Sequence, residues 1–132
     1  MNLIIDTHVL LWSIFAPKQL SALAKTTLKN TKNQIFVSSI SLFEISIKFG
    51  LKKLDLDGYS PENILHQIEK MGFELLSPSA KELATVHQLD NKNHRDPFDR
   101  LIAWQAIQNN LTLITKDNGI RHYAKFGLKT LW

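Results

Sequence analysis

Cysteine is absent from the 132 residues of this chain, which excludes a disulfide framework and any thiolate metal site. The sequence also lacks a run of about 18 uncharged apolar residues, which a membrane-spanning helix needs. Its apolar first residues are interrupted by Asp6 and preceded by no basic residue, so we expect no signal peptide. These absences lead us to expect a protein of the cytoplasm that has no membrane partner.

Internal repeats, low-complexity segments and linkers are missing as well, so we expect residues 1–132 to form a single domain. A chain of this length buries roughly two-thirds of the surface that it exposes when unfolded, which provides a core without covalent staples. The net charge of +4 permits polyanionic partners, but many ordinary basic proteins carry a similar charge.

Short apolar runs alternate with segments that begin like helices. Strands are predicted at five of these runs, residues 3–5, 35–37, 73–76, 111–115 and 128–132, the last at a sheet edge. Helices are predicted between them because serine or aspartate stands at N-cap positions, namely Ser21, Ser39, Ser60, Ser79 and Asp96. Since parallel strands are joined by helical crossovers, this order predicts an α/β fold with a central parallel sheet of four to five strands flanked by helices.

Three aspartates are predicted to lie at one edge of this sheet. Asp6 follows the first strand, Asp99 opens a helix, and Asp117 follows the fourth strand. The carboxyl ends of parallel strands and the starts of the helices face the same ligand-binding edge. Each aspartate also has an ordinary explanation, as a turn residue or as a partner of the helix dipole. Gathered together, they repel one another unless a cation or proton neutralises them, and oxygen donors without cysteine favour Mg²⁺ or Mn²⁺.

Glu44 is a fourth candidate acid. It lies in the helix predicted over residues 40–51, whose apolar stripe consists of Ile40, Phe43, Ile47 and Leu51. A surface ion pair with Lys48, one turn later, is the ordinary explanation and is worth ~0.3–0.5 kcal/mol. The position of Glu44, in the second turn and at the same sheet edge as the aspartates, supports a role in the site instead.

Four sequence blocks carry a resemblance to a known family. They are Asp6-Thr7 after LII, Glu44 in the helix after IFVSS, Asp99 in RDPFDRLIAWQA and Asp117 in LTLITKD. Together they resemble the four acidic positions of the PIN domain, and among its branches the VapC-type toxin ribonucleases of type II toxin–antitoxin pairs. The resemblance covers essentially the whole chain. It implies a small α/β sandwich with a divalent-metal site that cleaves RNA phosphodiester bonds endonucleolytically.

The resemblance also implies roles for individual side chains. Asp6 and Asp99 are expected to ligate Mg²⁺ or Mn²⁺ directly, and Glu44 and Asp117 to complete the catalytic pocket directly or through water. The hydroxyl of Thr115 is expected to hold a carboxylate, water or phosphate. The further residues expected to contact substrate or support the ligands are Thr7, Asp96, Arg100 and Lys116. We assign Asp96 to helix capping and Asp99 to the metal, and the reverse assignment stays open.

Partners follow from the same resemblance: RNA as substrate, a second copy in a homodimer, and a cognate antitoxin that places a basic side chain in the acidic pocket. His8 stands where the family often has asparagine. It could contact a phosphate, or it could be an ordinary loop histidine. Side chains that could draw RNA to the pocket are Lys48, Lys52, Lys53, Arg95, Arg100, Lys116 and Arg121. Apolar candidates for the antitoxin groove are Trp12, Phe15 and Phe49, for which core packing is the other explanation.

Other functions compete with a toxin nuclease. A housekeeping PIN-type RNA-processing nuclease would share the whole site. A receiver-like phosphoacceptor domain would need paired acids after the first strand, and a haloacid-dehalogenase-type phosphatase would need D-x-D there, whereas Asp6 is followed by Thr7 and His8. A non-catalytic interaction module would keep the fold without binding a metal.

Overall fold

The computed structural model describes residues 1–90, 92 and 96–132. Within these residues five strands form one sheet: β1 (Asn2–Ile5), β2 (Gln34–Ser38), β3 (Glu74–Leu76), β4 (Thr112–Ile114) and β5 (Lys129–Leu131). Six α-helices accompany them: α1 (Thr7–Phe15), α2 (Ala22–Lys29), α3 (Ser39–Gly50), α4 (Pro61–Lys70), α5 (Ala80–Thr85) and α6 (Pro97–Gln108). Three 3₁₀ segments complete the described elements: Pro17–Gln19, Val86–Gln88 and Gly119–Phe126. None of the helices in the described ranges has the length and apolar character to cross a bilayer.

All neighbouring strands in the sheet are parallel, in the order β3-β2-β1-β4-β5. The chain adds β2 and β3 on one side of β1 and then returns to add β4 and β5 on the other side. The strand order therefore reverses between β1 and β4, and in such sheets a crevice opens there at the carboxyl ends of the strands. The predicted α/β fold with a parallel sheet and flanking helices is confirmed.

Successive side chains of the central strands point to opposite faces of the sheet, so an apolar core forms on each face. Leu3 and Ile5 of β1 join one apolar cluster with residues of α1 to α4, whereas Ile4 faces the other cluster with α6. Ile102 of α6 is fully buried in that second cluster. Because both faces are covered, the strands read as continuous apolar runs in the sequence.

The beginning of α3 corrects one prediction. We predicted Ser39 as its N-cap, but the cap is Ser38, whose hydroxyl accepts a hydrogen bond from the Ile40 amide at 3.1 Å. Ser38 keeps the extended backbone of β2, with φ −65° and ψ 136°, and Ser39 is already helical. The hydroxyl of an extended residue is the one that reaches the free amides of the first turn.

The apolar stripe of α3 lies on the outside of the protein. Phe43, Ile47 and Leu51 are 55%, 41% and 60% exposed. The buried face of the helix consists instead of Ser41, Glu44 and Ile45. A glutamate on the inward face of a helix needs an explanation, because burying a carboxylate is unfavourable unless a partner compensates it.

Candidate active site

Asp6 stands at the carboxyl end of β1, where the strand order reverses. It caps α1, with Oδ1 accepting a hydrogen bond from the Val9 amide at 2.8 Å, and only 5% of it is exposed. Burial raises the pKa of Asp6 above its ordinary value and outweighs the hydrogen bonds from the Thr115 hydroxyl and the Val9 amide, which lower it. The nearby carboxylate of Asp117 raises this pKa further. Asp6 is thus a desolvated carboxylate that a cation would stabilise.

The two aspartates at the start of α6 have different surroundings. Asp96 is the N-cap, and its Oδ1 accepts hydrogen bonds from the amides of Phe98 at 2.9 Å and Asp99 at 3.3 Å. Asp99 lies in the first turn and lines a cavity that Asp6 also lines. This placement supports the assignment of Asp96 to capping and of Asp99 to the site.

Asp117 follows β4, the neighbour of β1. Its amide donates to Thr115 Oγ1 at 3.0 Å, and its Oδ1 accepts from the Gly119 amide at 2.8 Å, as in an Asx turn. Thr115 is fully buried and also donates toward Asp6. The ordinary turn explanation therefore holds for Asp117, and the same turn directs it to the aspartate cavity.

The aspartate cavity has a volume of about 270 Å³ and lies at the crevice between β1 and β4. It is lined by Asp6, His8, Trp12, Asp99, Lys116 and Asp117. The end of β1, the start of α6 and the turn after β4 therefore bring three of the four predicted acids, all distant in the sequence, to one cavity.

Glu44 faces a different space. It is 2% exposed and lines a smaller cavity of about 90 Å³ beside Thr7, His8 and Lys48. Its Oε2 accepts a hydrogen bond from Lys48 Nζ at 2.5 Å, whereas its buried Oε1 has no hydrogen-bond partner among the described residues. The predicted ion pair exists, but its carboxylate end is buried rather than on the surface. His8 lines both cavities, so the two spaces adjoin.

Lys48 lies between Glu44 and the start of α6. The hydrogen bond to Glu44 raises the pKa of Lys48 above its ordinary value, and the charges of Glu44, Asp96 and Asp99 add to this effect against a smaller desolvation cost. The side chain of Lys48 is 39% exposed. An ammonium group thus occupies the acidic surroundings of Glu44.

The side chains of the site are of the kind that bind metal ions, but they do not form a compact set of ligands among the described residues. Within residues 1–90, 92 and 96–132, no three His, Cys, Asp or Glu side chains are close enough together to hold a metal ion. The aspartate cavity nevertheless supplies carboxylate oxygens and no thiolate, which suits Mg²⁺ or Mn²⁺. The desolvated carboxylate of Asp6 would be stabilised by a divalent cation. The same holds for Oε1 of Glu44, which accepts no hydrogen bond from any described residue.

Comparison with known proteins identifies the family. The family model of the PIN domain matches residues 3–126. The chain belongs to the PIN domain family. This membership confirms the resemblance that the four acidic blocks carry, and it overturns the receiver-like and phosphatase alternatives.

Relatives of this PIN domain span its whole length. Ribonuclease VapC22 of Mycobacterium tuberculosis is 27% identical over 131 residues, which cover 99% of this chain and 98% of that protein. The structure of VapBC2 from Rickettsia felis bound to a DNA fragment from its promoter matches with a TM-score of 0.68 and 22% identity, over 99% and 98% of the two chains. FitAcB from Neisseria gonorrhoeae matches with a TM-score of 0.64 and 21% identity, over 100% and 97%. The two solved structures share the fold.

The remaining predicted site residues of the PIN domain divide into those near a cavity and those with structural contacts. Lys116 lines the aspartate cavity, and Thr7 donates to Ser41 Oγ at 2.9 Å beside the Glu44 cavity. Arg100 donates to the Leu89 carbonyl at 2.7 Å and does not line the aspartate cavity. Lys52, Lys53 and Arg121 are exposed and line neither cavity, and Arg95 lies outside the described residues.

The sequence predicts Trp12 for core packing or for an antitoxin groove, and not for the aspartate cavity. Trp12 lines the aspartate cavity, one helical turn after His8 on α1. The signal was present in the sequence, because residues 8 and 12 of a helix that begins just after Asp6 share one face. Phe15 instead packs partly buried against the core, and Phe49 is 38% exposed on α3.

Proposed function

We propose that this PIN domain is a Mg²⁺- or Mn²⁺-dependent endoribonuclease that hydrolyses RNA phosphodiester bonds and acts as the toxin of a toxin–antitoxin pair in the cytoplasm. The observation that carries the proposal is the aspartate cavity at the reversal of strand order, lined by Asp6, Asp99 and Asp117 with Lys116 at its wall. The ribonuclease name of the VapC22 relative supports the reaction.

The chemistry of hydrolysis assigns a task to each group. When bound, a divalent cation lowers the pKa of an attacking water and neutralises charge on the scissile phosphate. Asp6, Asp99 and Asp117 would hold the cation, and Glu44 would join them directly or through water. The Thr115 hydroxyl orients Asp6 and accepts from the amide of Asp117, which fixes two of these carboxylates relative to each other. Because an acidic cavity repels RNA, Lys116 would contact the incoming phosphate.

Isosteric substitution tests the catalytic proposal. Asp99→Asn should abolish Mn²⁺-dependent cleavage of total bacterial RNA, because the amide is a poor metal ligand, while the circular dichroism spectrum stays unchanged. Asp96→Asn is the matched control, since asparagine also caps helices and the variant should keep its activity. Cleavage by Asp99→Asn together with loss of activity in Asp96→Asn would reverse the two roles. Full activity in both variants would contradict the proposed site.

Metal binding separates the nuclease from a non-catalytic module. We expect Mn²⁺ to raise the melting temperature of the wild-type protein after EDTA treatment, and to raise that of Asp6→Ala much less. A wild-type protein without a Mn²⁺-dependent shift would support the module that keeps the fold without the metal.

The toxin role concerns partners. We propose that the chain is neutralised by a small antitoxin that places a basic side chain in the aspartate cavity, where it would take the place of the cation. Induced expression should arrest growth, Asp6→Ala should not, and co-expression of the product of a small neighbouring reading frame should relieve the arrest. Normal growth on expression of an active enzyme would favour the housekeeping RNA-processing alternative.

A homodimer is the second proposed assembly. The exposed apolar stripe consists of Phe43 and Ile47 of α3 and Leu51, the C-cap of this helix, at a spacing of four residues. The Phe43 ring contacts Phe98 of α6 with centroids 6.0 Å apart. Exposed apolar patches on small proteins commonly mark interaction sites. A two-fold axis would pack this stripe against its own copy, as an isologous interface requires.

A further inference from the structure

Three aromatic rings stand together beside the aspartate cavity. Trp12 and His8 of α1 both line the cavity, and their ring centroids lie 5.6 Å apart. Trp132, at the other end of the sequence, contacts Trp12 with centroids 6.0 Å apart. We name these three residues the aromatic shelf. His8 is exposed, and Trp12 and Trp132 are half-buried, so part of the shelf is open to solvent.

A cation accompanies the shelf. The ammonium of Lys116 lies 5.8 Å from the centroid of the Trp12 ring, and Lys116 lines the same cavity. Neither metal ligation nor phosphate hydrolysis uses an indole ring. Proteins that bind single-stranded nucleic acid combine basic groups that follow the backbone with aromatic rings on which the bases stack. His8, Trp12 and Lys116 provide both in the lining of one cavity, and Trp132 packs against Trp12 from beside it.

We propose that the aromatic shelf is a nucleobase-stacking subsite, which holds one unpaired base of the RNA next to the scissile phosphate while Lys116 contacts a neighbouring phosphate. This inference rests on the proposed endoribonuclease function and adds to it the part of the substrate that is recognised. A base can reach the shelf only when it is unstacked, so the subsite selects single-stranded segments and loops over duplex. Because every base has a stacking face, the shelf does not by itself select a sequence.

Binding to an uncleaved oligonucleotide tests the subsite. The probe is a fluorescein-labelled oligoadenylate of ten nucleotides, measured by fluorescence anisotropy with the Asp99→Asn protein in Mg²⁺. Adding Trp12→Leu should weaken its binding by about 5- to 150-fold, as loss of one stacked base does. Replacing single nucleotides by an abasic ribose should reveal one position that weakens binding similarly. That abasic position should cause no further loss once Trp12→Leu is present.

Controls separate stacking from damage to the fold. Tyr59→Leu removes another exposed aromatic residue and should leave binding unchanged. The ring of Tyr59 contacts that of Phe15, with centroids 5.6 Å apart, and does not line the aspartate cavity. If Trp12→Leu does not fold, Trp12→Phe should retain the abasic-sensitive position with a smaller loss, and His8→Ala should weaken binding to the same position. The oligoadenylate annealed to oligouridylate should bind equally to the proteins with and without Trp12→Leu.

Several results would overturn the subsite. The first is an equal loss of affinity for an abasic ribose at every position of the oligonucleotide. The second is that the fold-losses of affinity caused by the abasic ribose and by Trp12→Leu multiply when the two are combined. The third is that neither oligoadenylate nor a mixed-sequence ten-mer binds. Failure of the nuclease proposal has a different signature, because the wild-type protein would then cleave no RNA in Mn²⁺ whatever the anisotropy measurements show. Normal cleavage of single-stranded RNA by Trp12→Leu would leave the nuclease in place and remove the subsite.

Discussion

Replacing Lys48 by methionine should destabilise the protein more than neutralising Glu44, the buried carboxylate to which it binds. Glu44 is 2% exposed, and among the described residues its Oε1 has no hydrogen-bond partner. Lys48→Met would leave a carboxylate in the interior without its ammonium partner. Glu44→Gln would leave only an ammonium that is already 39% exposed and can be hydrated.

The expected loss in the free energy of unfolding lies between the values for fully buried and for surface ion pairs. Removing one partner of a fully buried ion pair costs about 3–5 kcal/mol, whereas exposed pairs contribute about 0–1 kcal/mol. Because water reaches the Lys48 end of this pair, we expect Lys48→Met to lower the free energy of unfolding by about 2 kcal/mol. Glu44→Gln should lower it by less than about 1 kcal/mol. For a domain of this size the larger loss corresponds to a melting temperature lower by roughly 7 °C.

Urea unfolding of the EDTA-treated proteins measures these differences. The double variant Glu44→Gln/Lys48→Met should recover most of the stability that Lys48→Met loses, since residue 44 then carries no charge that needs a partner. Lys70→Met is the matched control, because Lys70 is an exposed lysine in the last turn of α4, as Lys48 is in the last turn of α3. It should change stability by less than about 0.5 kcal/mol. Equal losses in the two single variants, or additive losses in the double variant, would refute the reasoning.

Three further predictions follow from other parts of the structure. Hydrogen bonds from Lys125 and His122 lower the pKa of Asp90 to about 2, so the ionised carboxylate stabilises the fold at neutral pH. Asp90→Asn should therefore be less stable than the wild type at pH 7, and this difference should diminish as the pH falls from about 4 to 2. An unchanged difference at pH 2 in urea titrations would argue against this role. Burial raises the pKa of Asp6, so the ionised form of this carboxyl opposes folding. In EDTA, Asp6→Asn should therefore have a higher melting temperature than the wild type at pH 7, and this difference should vanish as the pH falls through the raised pKa to about 4. A lower melting temperature of Asp6→Asn at pH 7 would be inconsistent with this. Ile47→Glu should convert the proposed dimer to a monomer in light scattering, whereas Leu23→Glu on α2 should not. A dimeric Ile47→Glu protein would exclude the apolar stripe as the dimer interface.

The strands and the aspartates could be predicted from the sequence because their signals are local. Asp96 and Pro97 begin α6 through contacts within its first turn, and these contacts fix where Asp99 lies. Asp6 and Asp117 each follow a buried apolar run, and parallel strands carry both to the same sheet edge. The cap of α3 was misplaced by one residue, because Ser38 and Ser39 carry the same hydroxyl and only the end of β2 decides which one is extended.

The surroundings of α3 and α1 could not be predicted in this way. Periodicity identifies an apolar stripe, but the neighbouring helices determine that Phe43 faces solvent while Glu44 faces inward. The separation of Glu44 from the aspartate cavity likewise depends on how α3 packs against α1. Trp12 reaches the wall of that cavity because α1 begins directly at Asp6, and its contact with Trp132 joins the two ends of the sequence.

The pairing of β1 with β4 has a consequence for the order of folding. Leu3 of β1 lies opposite Thr112 of β4, so this pairing closes a loop of more than a hundred residues, whereas β2 pairs with β1 across about thirty. Closing the longer loop costs more chain entropy and slows the step that depends on it. Contacts between β1 and β2 can therefore form while Asp117 is still distant from Asp6. The aspartate cavity is complete only once β1 and β4 have joined, so a partly folded chain would lack the proposed ribonuclease site.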